Sequence, residues 1–309
     1  MTGELLHEPM TFAVRFRHIL LSLILLICAS DLFAQKEVLY SQYLINPLAI
    51  NPAYAGSRQT MHLTAMFRRK WFGLRNVPIT QTLAIDGAVG NGRLGLGLQA
   101  LNDRMSILST TGVYASIAYR FPLSETSDIA IGGQGGVNVM PVFDPTTRIG
   151  LNKAIASVGV GIYYNSESFF GGISLPELVN RGYELSGQFL FQNTRPLFIQ
   201  LGTRLDIAEN AVLVPSLLVT QVTGKPIGTD LNAKLWLNER LGLGLSLRRN
   251  SLGLGSINYI QGIGEYQLSQ FIRVGYIYNS RTPEAPNSFG NSVHEFIFRW
   301  APNAEGFTF

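Results

Sequence analysis

The chain has one cysteine in 309 residues, Cys28, and it lies in a stretch that reads as removable. Arg15, Arg17 and His18 precede an apolar run from Ile19 to Ile27, and Asp31-Leu-Phe-Ala34 sets a small residue before a cut. That is the anatomy of a secretory signal peptide over residues 1–34, with a core too short to span a membrane as a helix. An uncleaved anchor and lipidation at Cys28 are the alternatives, the second opposed by the bulky Ile27. Cleavage after Ala34 leaves a chain without cysteine, which excludes disulfides, iron–sulfur ligation and a thiol nucleophile. Charge is sparse as well, at 14% and a net +4, and its scatter excludes a nucleic-acid face. Only His62 and His294 remain beyond the leader, near opposite ends of the first and last expected strands, so neither a metal centre nor a catalytic dyad is expected. G-x-S-x-G, P-loop and H-E-x-x-H patterns are missing, and the Leu-Gly alternations lack the full dinucleotide spacing. The expectation is a protein without enzymatic chemistry and without a cofactor. Nor does any later apolar run approach the length of a spanning helix.

What is there in quantity is glycine, 32 residues, much of it in alternation with leucine. RLGLGLQAL from Arg93 and RLGLGLSLR from Arg240 are near copies. In a strand their leucines share one face and the glycines the other. The pattern recurs in runs of about ten residues, the length a tilted strand needs to cross a bilayer. It predicts about fourteen strands: 60–71, 79–88, 93–102, 110–121, 128–139, 154–165, 167–175, 194–206, 210–222, 228–237, 240–249, 255–267, 270–279 and 291–300. The twelfth of these alternates poorly. Connections are expected to alternate long and short, the long ones including 140–153, 176–193 and 280–290. The fold class that follows is all-β, a transmembrane antiparallel up-and-down barrel in the outer membrane over residues 60–300, with outer-membrane lipid around it. Short turns and both termini then face the periplasm, and 301–309 forms a short tail. Trp71, Phe72, Tyr119, Phe121, Tyr163, Tyr164, Tyr276, Tyr278 and Trp300 fall near strand ends as candidates for the interfacial girdles.

Strand parity turns Arg68, Arg120, Arg204, Lys234, Arg248, Arg273 and Arg299 toward the lumen, against Asp86, Asp230 and Glu295. Such side chains brace a narrow polar interior, or they attract an acidic polypeptide or anionic solute. Ahead of the barrel, residues 35–59 read as a periplasmic or plug segment. Asn46-Pro47 and Asn51-Pro52 each favour a turn and cannot lie in a spanning strand. Its candidate partner-binding residues are Tyr43, Asn46, Pro47, Asn51, Pro52, Tyr54 and Gly56.

The run from Ser41 to Ser57, SQYLINPLAINPAYAGS, closely resembles the N-terminal signature of the PorP/SprF family of type IX secretion system outer-membrane proteins from Bacteroidetes. Thr80-Gln-Thr82 with Asp86, Leu94 to Gly97, Asn102-Asp103, Ser109 to Gly112 and Tyr119 to Ser124 extend the resemblance along the mature chain. The resemblance implies an integral outer-membrane barrel. It also implies partners: periplasmic type IX secretion components, and a secreted cargo such as a gliding adhesin bearing a C-terminal sorting domain. It carries over no catalytic residues. A passive pore or small-solute transporter, and a membrane-embedded hydrolase built on His62 or His294, are the competing readings.

Overall fold

The computed structural model describes residues 42–70, 77–105, 108–144, 149–180, 183–185, 188–191, 195–250, 257–280 and 293–302. The leader, Trp71, Phe72, most of the 280–290 connection and the tail beyond Pro302 lie outside these residues. Two single-turn 3-10 helices, Pro47–Ala49 and Pro52–Tyr54, precede the strands. The strands are β1 (His62–Lys70), β2 (Ile79–Val89), β3 (Leu94–Met105), β4 (Leu108–Pro122), β5 (Ser127–Asp144), β6 (Ile149–Ser166), β7 (Phe169–Asn180), β8 (Tyr183–Leu185) and β9 (Gln188–Phe191). They continue with β10 (Leu197–Thr203), β11 (Leu205–Ala208), β12 (Ala211–Gln221), β13 (Gly228–Leu237), β14 (Leu241–Asn250), β15 (Ile257–Gln267), β16 (Ile272–Asn279) and β17 (Val293–Trp300).

β8 and β9 form a separate hairpin, and β10 and β11 are two parts of one stave along β12. The rest is an antiparallel meander whose first strand pairs with its last, Leu63 opposite Trp300. The result is a closed barrel of 14 strands. Closure leaves the barrel without a free edge, the condition for placing a sheet in hydrocarbon.

Alternation decides which side faces what. Leu96, Leu98, Ile117, Ile131, Leu243 and Leu245 stand outward and exposed, while their neighbours point into the lumen. In β4, Val113, Ile117, Tyr119 and Phe121 lie together on the outer face. Tyr119 and Phe121 meet edge-on at 4.9 Å, and Tyr276, Tyr278 and Trp300 are also exposed. Tyr163 corrects the girdle expectation. It is buried in the lumen at 3% exposure, because adjacent residues of a strand must take opposite faces and Tyr164 takes the outer one.

Tight turns join the strands at one end, among them Asn238-Glu239, both at positive φ (50° and 55°), the geometry of a type I′ hairpin. At the other end the expected length pattern needs correction. Strands β3 and β4 stay paired up to Met105 and Leu108, and β5 and β6 up to Asp144 and Ile149. Much of 103–109 and 140–153 is therefore ladder, not loop. Pro141, within the stretch expected to be a connection, pairs opposite Asn152 in the hairpin. β7 likewise runs past Leu175, with a register break opposite β6 between Val158 and Val160.

Candidate functional site: a plugged lumen

The lumen is occupied by the chain's own residues 42–59. Two Asn-Pro steps start two 3-10 turns, and Asn51 secures the second by accepting from the Ala53 N–H at 3.0 Å. The result is a strap narrow enough to lie inside a barrel. Each of the four buried apolar clusters among the described residues contains part of it. Leu48, Ala53, Tyr54 and Ala55 pack with Ala118, Ala130, Tyr163 and Phe170, while Ile45 packs with Met66, Ile263, Ile277 and Ile297. Tyr43 and Ile50 meet Phe198 and Leu218, and Ala49 meets Leu101 and Tyr114. The strap is the core of this protein.

Its backbone is tied to the wall by side chains from most of the circumference. Asn46 donates to Gln99 at 3.1 Å, and Gln99 donates back to the Leu48 carbonyl at 2.9 Å. Ser174 donates to the Ile50 carbonyl at 2.7 Å, Arg120 to that of Ala55 at 2.9 Å, and Arg299 to that of Ile45 at 2.6 Å. Asn51 reaches the Ile162 carbonyl at 3.0 Å, Asn232 reaches the Tyr43 hydroxyl at 2.8 Å, and the Gly56 N–H donates to Asp86 at 3.1 Å. A buried irregular backbone needs such partners for its polar groups. Burial also pushes the Tyr54 phenol above its ordinary range.

Glycine makes room for this contact. A Cβ at Gly95 would land on the Ala55 carbonyl oxygen, one at Gly132 on the Ala53 backbone, and one at Gly161 on the Asn51 side chain. Gly97 faces Leu48 and Gly172 faces Asn51 in the same way. Strands β3, β5, β6 and β7 thus present a backbone track that admits the strap. Gly56 adds a second reason, since its φ of 69° favours glycine and it lies against the Gly87 and Ala88 backbone.

The seven candidate partner-binding residues are therefore inside the barrel. Tyr43, Asn46, Asn51, Pro52, Tyr54 and Gly56 are buried and Pro47 is half-buried. The seven lumen-side basic candidates have individual partners. Arg68 lies 3.7 Å from Glu295, Arg120 3.3 Å from Asp128, and Arg248 3.5 Å from Asp230. Lys234 pairs with Glu265 and stands over Trp236, with Arg273 over the same ring at 4.6 Å. Arg204 covers the Phe170 ring and donates to the Ser166 carbonyl and to Asn165. Sequence reasoning missed Glu265, Asp128, Gln99 and Ser174. Glu265 went unseen because Gly262 and Gly264 take the outer positions of β15, which hides the alternation that would have shown Glu265 to be inward. His62 and His294 stand at opposite ends of the β1–β17 pair, where Arg69 faces His294 and Leu63 faces Trp300.

The model of the type IX secretion system membrane protein PorP/SprF matches residues 32–300. The chain belongs to the PorP/SprF family. The strap, the closed barrel and the glycine track all lie within the matched span. No curated protein matches the chain. Among solved structures, the Acinetobacter baumannii outer membrane protein Omp33 is 8% identical, covering 79% of this chain and 98% of its own, with TM-score 0.49. The Pseudomonas putida toluene transporter TodX is 9% identical over 85% and 93%, with TM-score 0.44. A Pseudomonas aeruginosa FadL homologue is 9% identical over 81% and 91%, with TM-score 0.42.

Proposed function

We propose that this PorP/SprF protein is an integral barrel of the bacterial outer membrane that assists export or surface attachment of a partner protein through type IX secretion, with no enzymatic step of its own. Membership of the family across residues 32–300 is the observation that carries this reading. The short turns, the start of β1 and the end of β17 face the periplasm and its secretion components. The end of the barrel opposite the short turns faces outward and meets a cargo bearing a C-terminal sorting domain, as a gliding adhesin would. Strap residues from Tyr43 to Gly56 serve a partner only when the strap leaves the lumen, whereas the partly exposed Ser57 to Met61 are reachable from the short-turn end.

A clean deletion of the gene in its native host tests this. Cargo with a C-terminal sorting domain should fall at the cell surface and accumulate in the periplasm, measured by protease shaving and fractionation. Normal surface display of every such cargo would overturn the proposal. The passive-pore alternative predicts a steady conductance from the purified wild-type barrel in planar bilayers. A lumen filled by the strap supports a closed one.

A further inference from the structure

The lipid-facing side of the barrel is not uniform. On the face made by β17, β1, β2 and β3 lies a groove of about 520 Å³. Its floor is low because two outward positions there are alanines. Ala65 stands between Phe298 and Leu83 in register, and Leu83 stands opposite Ala100. Phe67, Phe296 and Phe298 form the raised side, at 38%, 52% and 42% exposure. In a bilayer such a trough takes up an acyl chain, since an empty one forfeits dispersion contacts along its whole lining.

Toward the end opposite the short turns the groove becomes polar. Gln81, Asn102 and Thr111 line it there, and Asn102 donates to Thr111 and to Ser109, each at 2.9 Å. Two residues further along their strands, Arg69 in β1 and Arg104 in β3 both stand opposite Ile79 of β2. Neighbouring strands lie about 4.8 Å apart, so about 10 Å separates the two backbones, a span that two long side chains share over one headgroup. Their other partners in register are His294 and Ser109, neither of them an acid. An outward arginine is costly at the middle of a bilayer and tolerated at its interface. Arg69 and Arg104 therefore mark headgroup depth, where a guanidinium fork takes phosphate oxygens in pairs.

We propose that this face holds an acylated, phosphate-bearing lipid of the outer leaflet, with its phosphates at Arg69 and Arg104 and one acyl chain in the groove over Ala65 and Ala100. The leaflet rests on the orientation proposed above, in which the short turns face the periplasm.

Native mass spectrometry of the purified protein with bisphosphorylated lipid A reads the binding. The expected result is a lipid adduct that survives activation, with dephosphorylated lipid A held about tenfold more weakly. Arg104→Gln should erase that preference, and Arg69→Gln should reduce it. Ala65→Phe fills the groove and should weaken both forms alike. All three positions point away from the lumen, so the barrel should stay folded, as a heat-modifiable gel shift would verify. Phosphatidylglycerol, whose single phosphate satisfies one arginine, should bind more weakly than lipid A. Ser109→Cys tests the orientation separately, because it adds the only cysteine besides Cys28, and a membrane-impermeant maleimide should label it on whole cells. Labelling without a phosphate preference overturns the lipid site and leaves the orientation standing. A preference without labelling overturns the outer leaflet and the orientation together. Phosphatidylglycerol binding as tightly as lipid A, or a preference that survives both arginine changes, also overturns the proposal.

Discussion

The segments Leu94–Leu98 in β3 and Leu241–Leu245 in β14 have the same five residues and sit on different parts of the barrel. Their leucines behave alike. Leu96 and Leu98 are 45% and 48% exposed, and Leu243 and Leu245 are 48% and 52%. Their glycines do not. Gly95 and Gly97 lie under the strap, at Ala55 and Leu48, whereas Gly242 lies under the Trp236 ring and Gly244 beside Ile263. The outer face meets a uniform surrounding medium, so equal sequences give equal outcomes. The inner face meets a particular neighbour at each position, so equal sequences do different jobs.

Gly95→Ala should break the strap side of this comparison most severely. The added methyl would occupy the place of the Ala55 carbonyl oxygen, which Arg120 also holds at 2.9 Å. Backbone sits on both sides, and the Gly56–Asp86 bond with the Gly87 contact keeps the turn from retreating. Overpacking at such a site costs about 1–3 kcal/mol, enough to shift the strap off the wall. Planar-bilayer recordings should then show an open channel where the wild type is closed, and protease should cut within residues 42–59. Wild-type conductance and protection would mean that the strap does not depend on close contact with β3.

Asn51→Ala should have the next largest effect. Its side chain accepts from the Ala53 N–H and donates to the Ile162 carbonyl, both at 3.0 Å. Losing a cap and a buried bond together should cost about 1–3 kcal/mol. Amide hydrogens of residues 47–56 should exchange faster by about one to two orders of magnitude. The barrel strands should keep their protection, because the change touches the strap and not the ladder. Equal exchange in variant and wild type would show that the glycine track alone holds the segment.

The same inner–outer distinction accounts for what could be read in advance. The fourteen staves were legible because hydrocarbon imposes one rule on every outward side chain, and Leu96, Ile117 and Phe298 all obey it. Inward parity was legible for Arg68 or Arg299 by the same counting. Which carboxylate meets which arginine was not, since Asp128 and Arg120 come together through the register of β4 and β5, a property of the closed sheet. Two Asn-Pro turns gave the strap a kinked shape in the sequence, but its bed could not be read there. The bed is an absence of side chains at Gly95, Gly132 and Gly161, spread over three strands. Scattered glycines look like strand weakness until the segment that lies on them is placed.

Gly242→Ala, the β14 counterpart of the first change, should have the smallest effect and thereby separates the two roles of one motif. Its methyl would sit 2.8 Å from the Trp236 ring, a contact with a side chain and not with backbone. That ring borders a cavity in the lumen, and a side chain yields more readily than backbone. Strand alanine also gains about 0.5–1 kcal/mol over glycine by restricting the unfolded chain, which offsets much of the crowding. Net stability in urea should change by within about 0.5 kcal/mol, and conductance should remain closed. The ring's displacement should appear as a shift in Trp236 emission. A Gly242→Ala barrel that opened as the Gly95→Ala barrel does would show that any loss of inward glycine loosens the staves, and the claim that β3 is a specific bed for the strap would fail.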